Sequence, residues 1–174
     1  FSGFSWRAIL NYEIADGKYV YFNHSRGRRP EVIEDAFATT PSGGATADFN
    51  IIPAETVTSY EVGAKGAFYD RMLTIEAAAY YYTYDNFQTG VQRDAGPGLP
   101  PIFETVNAGS ADSYGAELGV NAAPSDGLDI FVTYGWNRGR FKDVDENGNP
   151  QIFAGNRFRL SPDHALSAGF KYEQ

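Results

Sequence analysis

The chain contains no cysteine, which excludes a disulfide framework and any cysteine-based metal site. Positive charge is scarce: 14 Lys and Arg stand against 22 Asp and Glu, a formal net charge of −8. Phosphate-backbone binding needs a basic footprint, so nucleic acid is excluded as a partner. No run approaches the roughly 20 apolar residues of a membrane-spanning helix, and no signal-peptide pattern is visible. There are only two histidines, His24 and His164, far apart in the chain. Neither a nucleophile elbow nor a phosphate loop occurs. No enzyme activity, cofactor or metal is therefore expected.

Aromatics and glycine are abundant, with 12 Tyr, 13 Phe and 19 Gly. That is a β composition. The mean hydropathy of −0.38 suits a soluble protein. It suits a membrane barrel equally, because only alternate strand residues meet lipid.

Strict alternation dominates the sequence and predicts strands. Trp6, Ala8, Leu10, Tyr12 and Ile14 alternate with more polar neighbours, as do Tyr60 to Phe68, Leu73 to Tyr81, Tyr114 to Ala122, Leu128 to Trp136 and Leu166 to Tyr172. Lys18 to Arg26 is also a strand, but aromatics lie on both of its faces and leave its register open. The fourth strand is expected to run from Leu73 to Gln88, far beyond the usual globular strand of about 5–6 residues.

The connections alternate in length. Ala15-Asp16-Gly17, Tyr69-Asp70-Arg71 and Pro124-Ser125-Asp126-Gly127 predict tight turns. Gly27 to Ala54, Arg93 to Glu104 and Lys142 to Asn156 are long, polar, Gly/Pro-rich loops. Outer-membrane barrels have this asymmetry, with short turns at one rim and long loops at the other. With the short turns on the inner side, Tyr81, Tyr114 and Trp136 fall near the outer edge of the apolar face. Tyr12, Phe68 and Tyr172 fall near its inner edge. Such rings favour the membrane interface. The expected fold is all-β: about seven antiparallel strands of a larger transmembrane barrel. The chain opens at Phe1 inside one strand-like segment and stops at Gln174 at the end of another, so it is expected to be a piece of a longer protein. A soluble β-sandwich also alternates, but it does not account for long strands, alternating loop lengths and girdle spacing together.

Four motifs point to a family. They are Tyr19-Val20-Tyr21-Phe22-Asn23-His24-Ser25-Arg26-Gly27-Arg28-Arg29-Pro30, Ser59-Tyr60-Glu61-Val62-Gly63-Ala64-Lys65-Gly66, Asn107-Ala108-Gly109 followed by Ser113-Tyr114-Gly115-Ala116-Glu117, and Leu160-Ser161-Pro162-Asp163-His164-Ala165-Leu166. In this order they resemble the C-terminal part of the barrel of TonB-dependent receptors, across nearly the whole of residues 1–174. The resemblance implies a barrel of about 22 strands in the outer membrane of a Gram-negative bacterium, with surrounding lipid. It also implies an N-terminal plug domain and TonB as partners, neither of which is recognisable in this chain. The implied activity is TonB-energised uptake of a scarce nutrient: a siderophore–metal chelate, cobalamin or an oligosaccharide.

In this arrangement the lumenal face collects Arg7, Glu13, Glu61, Lys65, Glu76 and Glu117. Facing lipid, a charge would cost roughly 2–4 kcal/mol at midplane. Facing inward these groups meet water or the plug, and the plainer of those readings is water. Glu61 and Lys65 lie about 13 Å apart along one strand face, so any pairing must be cross-strand. Tyr80, Tyr82, Tyr84, Asn86 and Gln88 form a lumenal stripe that could stack on and hydrogen-bond a ligand; cross-strand packing is the plainer account. Arg26, Arg28 and Arg29 open the longest loop, where they could attract an anionic chelate or form a charged rim. Asp143-Val144-Asp145-Glu146-Asn147-Gly148-Asn149 resembles the start of a calcium loop. Its twelfth position is Ala154 and Pro150 interrupts it, so a solvated turn fits better.

Transport is the first functional reading. A soluble, aromatic-rich, glycan-binding β-sandwich is the alternative, and an unplugged porin or adhesin barrel a third. Alone, the seven-strand segment would leave its edges unpaired and is expected to aggregate or to pair with another copy.

Overall fold

The computed structural model describes residues 3–39, 45–94, 98, 100–145 and 147–173, and their side chains apart from those of 35–39, 45–48 and 93. Phe1, Glu146 and Gln174 lie outside the described residues. Eleven strands follow in order: β1 Trp6–Ala15, β2 Lys18–Arg29, β3 Val32–Thr39, β4 Ala45–Ile52, β5 Glu55–Phe68, β6 Leu73–Asp85, β7 Gln88–Arg93, β8 Ile102–Asn107, β9 Ala111–Ser125, β10 Leu128–Phe141 and β11 His164–Tyr172. Seven of them form one antiparallel sheet in the order β1-β2-β5-β6-β9-β10-β11. These are the seven segments expected as strands, six of them from alternation. The sheet is an open arc, with β1 and β11 at its edges.

The three tight turns join neighbouring strands at one rim. Gly17 (φ 65°) and Gly127 (φ 73°) take the left-handed backbone that such turns require. The middle turn is different: Tyr69, Asp70 and Arg71 are all left-handed, with φ of 54°, 54° and 69°. Non-glycine residues reach that region only at a cost.

At the other rim two expectations are corrected. The loops Gly27 to Ala54 and Arg93 to Glu104 are not irregular throughout. Gly27 to Ala54 holds the two-stranded hairpin β3–β4, and Arg93 to Glu104 overlaps a second, β7–β8, which reaches from Gln88 to Asn107. The fourth strand ends at Asp85 rather than Gln88. Asn86 turns left-handed (φ 54°), a conformation that asparagine tolerates, and Phe87 then bonds back to Gly109. Backbone pairing to a neighbouring segment overrides the alternation there.

Register resolves the ambiguity of β2. Tyr19 opposes Lys65 and Asn23 opposes Glu61, so Tyr19, Tyr21, Asn23 and Ser25 share the polar face. Val20, Phe22 and His24 fall on the apolar one. The strands are also sheared. Ala15 opposes Lys18, which opposes Gly66, yet β5 continues to Phe68 before turning. Leu73 opposes Ala122, yet β9 continues to Ser125. The rim therefore steps by about one residue per strand, equivalent to a strand tilt of about 35°.

The apolar face keeps one height across this shear. It runs from Trp6 to Ile14, Tyr60 to Phe68, Tyr81 to Leu73, Tyr114 to Ala122, Trp136 to Leu128 and His164 to Tyr172. No alternate position in these six spans is Asp, Glu, Lys or Arg; on β2 the face runs from His24 to Val20, and Lys18 below it reaches over the Phe68 ring, 5.0 Å from its centroid. Each of the six spans is eight residue steps, or about 27 Å along the strand and about 22 Å of height at that tilt, close to the apolar band of about 25 Å in outer-membrane barrels. A register row of rings, His24–Tyr60–Tyr81–Tyr114, tops the band on four strands. His24 stacks on Tyr60 with centroids 4.3 Å apart, and Tyr114 meets Trp136 at 5.7 Å. The next outward row, Arg26–Thr58–Thr83–Asp112–Arg140, is polar on these five strands and ends at Trp6 on β1.

Nothing among the described residues covers this face. Leu118 is 42% exposed, Leu166 72% and Phe170 76%. A sandwich would bury these residues against a second sheet, so the soluble-sandwich alternative falls. Among the described residues the buried apolar ones are Ile52, Ala108, Ala111 and Phe141, all at the loop end.

Candidate ligand-facing site

The polar face is concave. Its middle forms a trough of about 470 Å³ lined by residues that include Tyr21, Lys65, Glu76, Ala78, Glu117 and Thr133. Register brings Glu61, Lys65, Glu76 and Glu117 of the expected lumenal charges onto three adjacent strands, β5, β6 and β9. Lys65 and Glu76 are direct cross-strand partners, with Nζ 3.2 Å from Oε2. The Tyr21 hydroxyl donates to Glu61 Oε1 at 2.8 Å. Arg7 and Glu13 stand apart on edge strand β1. Arg7 Nε donates to Asn23 Oδ1 at 3.1 Å, and Glu13 Oε1 accepts from the Gly17 amide in the turn.

Glycines stand opposite rings on this face. Tyr21 opposes Gly63, Tyr80 opposes Gly115 and Phe131 opposes Gly169. A Cβ at Gly63 would come within 2.3 Å of the Tyr21 ring, and one at Gly169 within 2.6 Å of Phe131. Each ring lies over the neighbouring backbone because its partner has no side chain. This flattens aromatic surface against the wall.

The expected tyrosine stripe divides in two. Tyr80 and Tyr82 stack with centroids 4.9 Å apart and planes 17° apart. Tyr84 turns instead into an aromatic cluster at the loop end, meeting Phe87 at 5.2 Å and Phe158 at 5.8 Å. Phe141 and Phe153 complete that cluster, which packs on buried Ala108 and Ala111. A cleft of about 1070 Å³ opens beside it, lined by Phe87, Phe141, Phe153 and Phe158 together with Thr89, Gln92 and Arg157.

Asn86 and Gln88 leave the stripe altogether. Asn86 Oδ1 accepts from Asn107 Nδ2 at 3.0 Å. Gln88 is 4% exposed, and its amide nitrogen donates to the carbonyls of Pro30 and Pro53 at 2.9 Å each. The Gln88 backbone amide donates to Glu55 Oε2 at 2.7 Å, while Arg29 Nη1 donates to the Gln88 carbonyl at 3.2 Å. Glu34 Oε1 accepts from the Thr105 amide, linking the two outer hairpins. Gln88 thus fastens the feet of both hairpins to the barrel rim.

The three arginines at the longest loop do not act as one group. Arg29 takes the lumenal side of β2, opposite Glu55. Arg26 and Arg28 take the outward side, and Arg28 pairs with Glu31 at 2.9 Å. In the acidic loop, Asp145 Oδ1 accepts from the amides of Asn147 and Asn149, both at 2.8 Å. The Asn149 bonds above all hold its carboxyl below the usual range. These lone pairs point into the loop's own turn, as in an Asx turn.

Sequence reading missed Glu55, Gln151 and the Phe87/Phe158 contact. Gln151 Nε2 donates to the Ser110 and Lys142 carbonyls at 3.1 and 2.5 Å. A lone amide in a polar loop carries no periodic signal. The unmatched phenylalanines of the loops were the available hint.

Solved structures share this architecture at low identity. The chain is 22% identical to the ferric yersiniabactin uptake receptor FyuA of Yersinia pestis, with a TM-score of 0.68, covering 94% of this chain and 22% of that one. It is 23% identical to the alcaligin outer-membrane receptor FauA of Bordetella pertussis, with a TM-score of 0.55 and coverage of 98% and 26%. The copper transporter OprC matches at 15% identity and a TM-score of 0.66, with 97% and 24% covered. The chain thus spans about a quarter of the length of these receptors and transporters. At such identities the likeness carries the fold. The family rests on the match of residues 1–174 to the model described as TonB dependent receptor-like, beta-barrel. This chain, open arc, sheared strands and bare apolar band included, belongs to the TonB-dependent receptor β-barrel family.

Proposed function

We propose that this chain is part of the wall and outer mouth of a Gram-negative outer-membrane receptor that takes up a scarce nutrient, energised by TonB and plugged by its own N-terminal domain. The observation that carries the reading is the uncovered apolar band, constant in height across sheared strands and closed by rings, in a chain of this family. A soluble protein would lose by leaving such a face bare, whereas lipid satisfies it. The trough charges Glu61, Lys65, Glu76 and Glu117, with Arg7 and Glu13 on the edge strand, face the plug or lumenal water. Tyr80 and Tyr82 present stacked ring surface towards the lumen, which suits a siderophore–metal chelate, cobalamin or an oligosaccharide.

The test uses the full-length receptor in its host. Uptake of each of the three nutrient classes is measured under limitation, with and without TonB. The expected result is that uptake of one class requires both proteins. Uptake that persists at the same rate without TonB would replace this reading with a passive porin.

A further inference from the structure

The connection between β10 and β11 carries the one Asn-Gly pair of the sequence, Asn147-Gly148. Val144 bridges Pro150, and the chain reverses between them. Asn147 and Gly148 are exposed in that reversal. Gly148 takes the left-handed backbone, with φ of 81°, and a Cβ built on it would meet nothing within 4 Å.

An asparagine followed by glycine holds an electrophile and a nucleophile in one dipeptide. The Gly148 backbone nitrogen can attack the Asn147 side-chain carbonyl carbon, Cγ, and no Cβ at position 148 shields that nitrogen. The new N–Cγ bond closes a succinimide ring. The bond from Cγ to Nδ2 breaks, and the side-chain nitrogen leaves as ammonia. Water then opens the ring at either carbonyl, giving aspartate or isoaspartate. Water is the sole co-reactant, and nothing is oxidised or reduced.

The turn restrains this chemistry through Asp145. The Gly148 amide, whose proton must leave before attack, donates to the Asp145 carbonyl at 3.1 Å, and the Asp145 amide donates to the Asn149 carbonyl at 2.9 Å. The Asp145 carboxylate meanwhile accepts from the amides of Asn147 and Asn149. Ring closure needs Gly148 released from its bond, so the reaction draws on the opened turn, and the Asp145 bonds set how often the turn opens. The products do not fit the closed turn. A carboxylate at position 147 would stand beside Asp145, where like charges repel. Isoaspartate would also lengthen the main chain by a carbon. Asn147 lines a recess of about 230 Å³ with Asn86, Asn107, Asp145 and Gln151, so the conversion turns a largely amide-lined recess at the mouth acidic.

We propose that Asn147-Gly148 is a self-modification site of the outer mouth, a deamidating pair whose rate the Asp145 cap sets. The site depends on the loop alone and not on the nutrient that the receptor carries.

The experiment incubates the full-length receptor in mildly alkaline buffer and follows position 147 by peptide mapping, with isoaspartate resolved by electron-based fragmentation. Aspartate and isoaspartate should accumulate at Asn147 ahead of every other asparagine. Asp145→Asn should speed the conversion about tenfold, as the loss of hydrogen bonds to a charged group does. Asn147→Gln should abolish it, because one more methylene disfavours ring closure. Should Asp145→Asn fail to fold, the receptor unfolded in urea takes its place and should convert faster than the folded one. An Asn147 as stable as the other asparagines of the folded receptor overturns the site. Equal rates in the receptor and in Asp145→Asn, or in the folded and unfolded receptor, overturn the control by Asp145.

Discussion

The wall and the mouth of this molecule are stabilised in opposite ways. The wall, seven long strands, has almost no internal burial. Its apolar side chains stand in register along one face with no layer of the described residues against them. The mouth is where the protein has a core. Ile52, Gln88, Ala108, Ser110, Ala111 and Phe141 are buried there, with four phenylalanines and Tyr84 interlocked around them. The wall borrows its apolar environment from a solvent that is not water, while the mouth, standing in water, has to build its own. Backbone pairing sets the wall; side-chain amides such as Gln88 and Gln151 set the mouth.

The sharpest way to break this contrast is to place a charge on the wall. Leu118→Arg, at the middle of the outward face, should destabilise the full-length receptor by roughly 2–4 kcal/mol and prevent its assembly. Thr133→Arg, on the lumenal face, should leave assembly intact. Heat-modifiable migration of the membrane-extracted protein separates the two outcomes. Equal behaviour would mean that the two faces see the same solvent.

The mouth is probed by Gln88→Leu. It leaves the Pro30 and Pro53 carbonyls without their shared donor and should cost about 1–3 kcal/mol. The loss should be local: amide exchange in β3–β4 and β7–β8 speeds up while the wall strands keep their protection. Global loosening of the wall would show that the regions are not separate.

Within the wall, Gly63→Ala pushes a methyl group into the Tyr21 ring. Tyr21 should swing away and lose its bond to Glu61, at a cost of about 1 kcal/mol or somewhat more. A Tyr21 fluorescence or NMR signal unchanged in the variant would contradict the ring-over-glycine packing.

The smallest effect concerns pH. Asp145 has its folded-state pKa lowered by the loop amides, so its contribution to loop order is present above the ordinary carboxylate range. It is lost as pH falls through the lowered value. The Asn147 and Asn149 amides should exchange faster only on acidification below that range. Asp145→Asn should bring the faster exchange to neutral pH.

The legible part of the fold was the part governed by a period. Alternation located six of the seven wall strands, β2 was read as a strand without a sided pattern, and the turn residues Gly17 and Gly127 marked inner ends. Cross-strand pairing of Lys65, expected from the impossibility of its reaching Glu61, is met by Glu76. The stripe was legible as far as Tyr82. At Tyr84 and beyond, the ring and amide partners come from segments remote in the chain, Phe158, Asn107 and Pro53 among them. The hairpins β3–β4 and β7–β8 escaped notice although Ala45, Ala47, Phe49 and Ile51 alternate with Thr46, Asp48 and Asn50, because that run lies inside a Gly/Pro-rich stretch and β3, β7 and β8 carry no such pattern.

By itself the sequence determined which residues would form strands, which face of each would be apolar and at which rim the chain would turn tightly. Those choices depend on neighbours two positions away, through the alternation of side chains about one backbone. Only tertiary structure decided the register of β2, the shear that holds the apolar band level and the clasp at Gln88. Each of these depends on which strand or loop lies alongside, and that is set by hydrogen bonds and contacts between residues far apart in the chain.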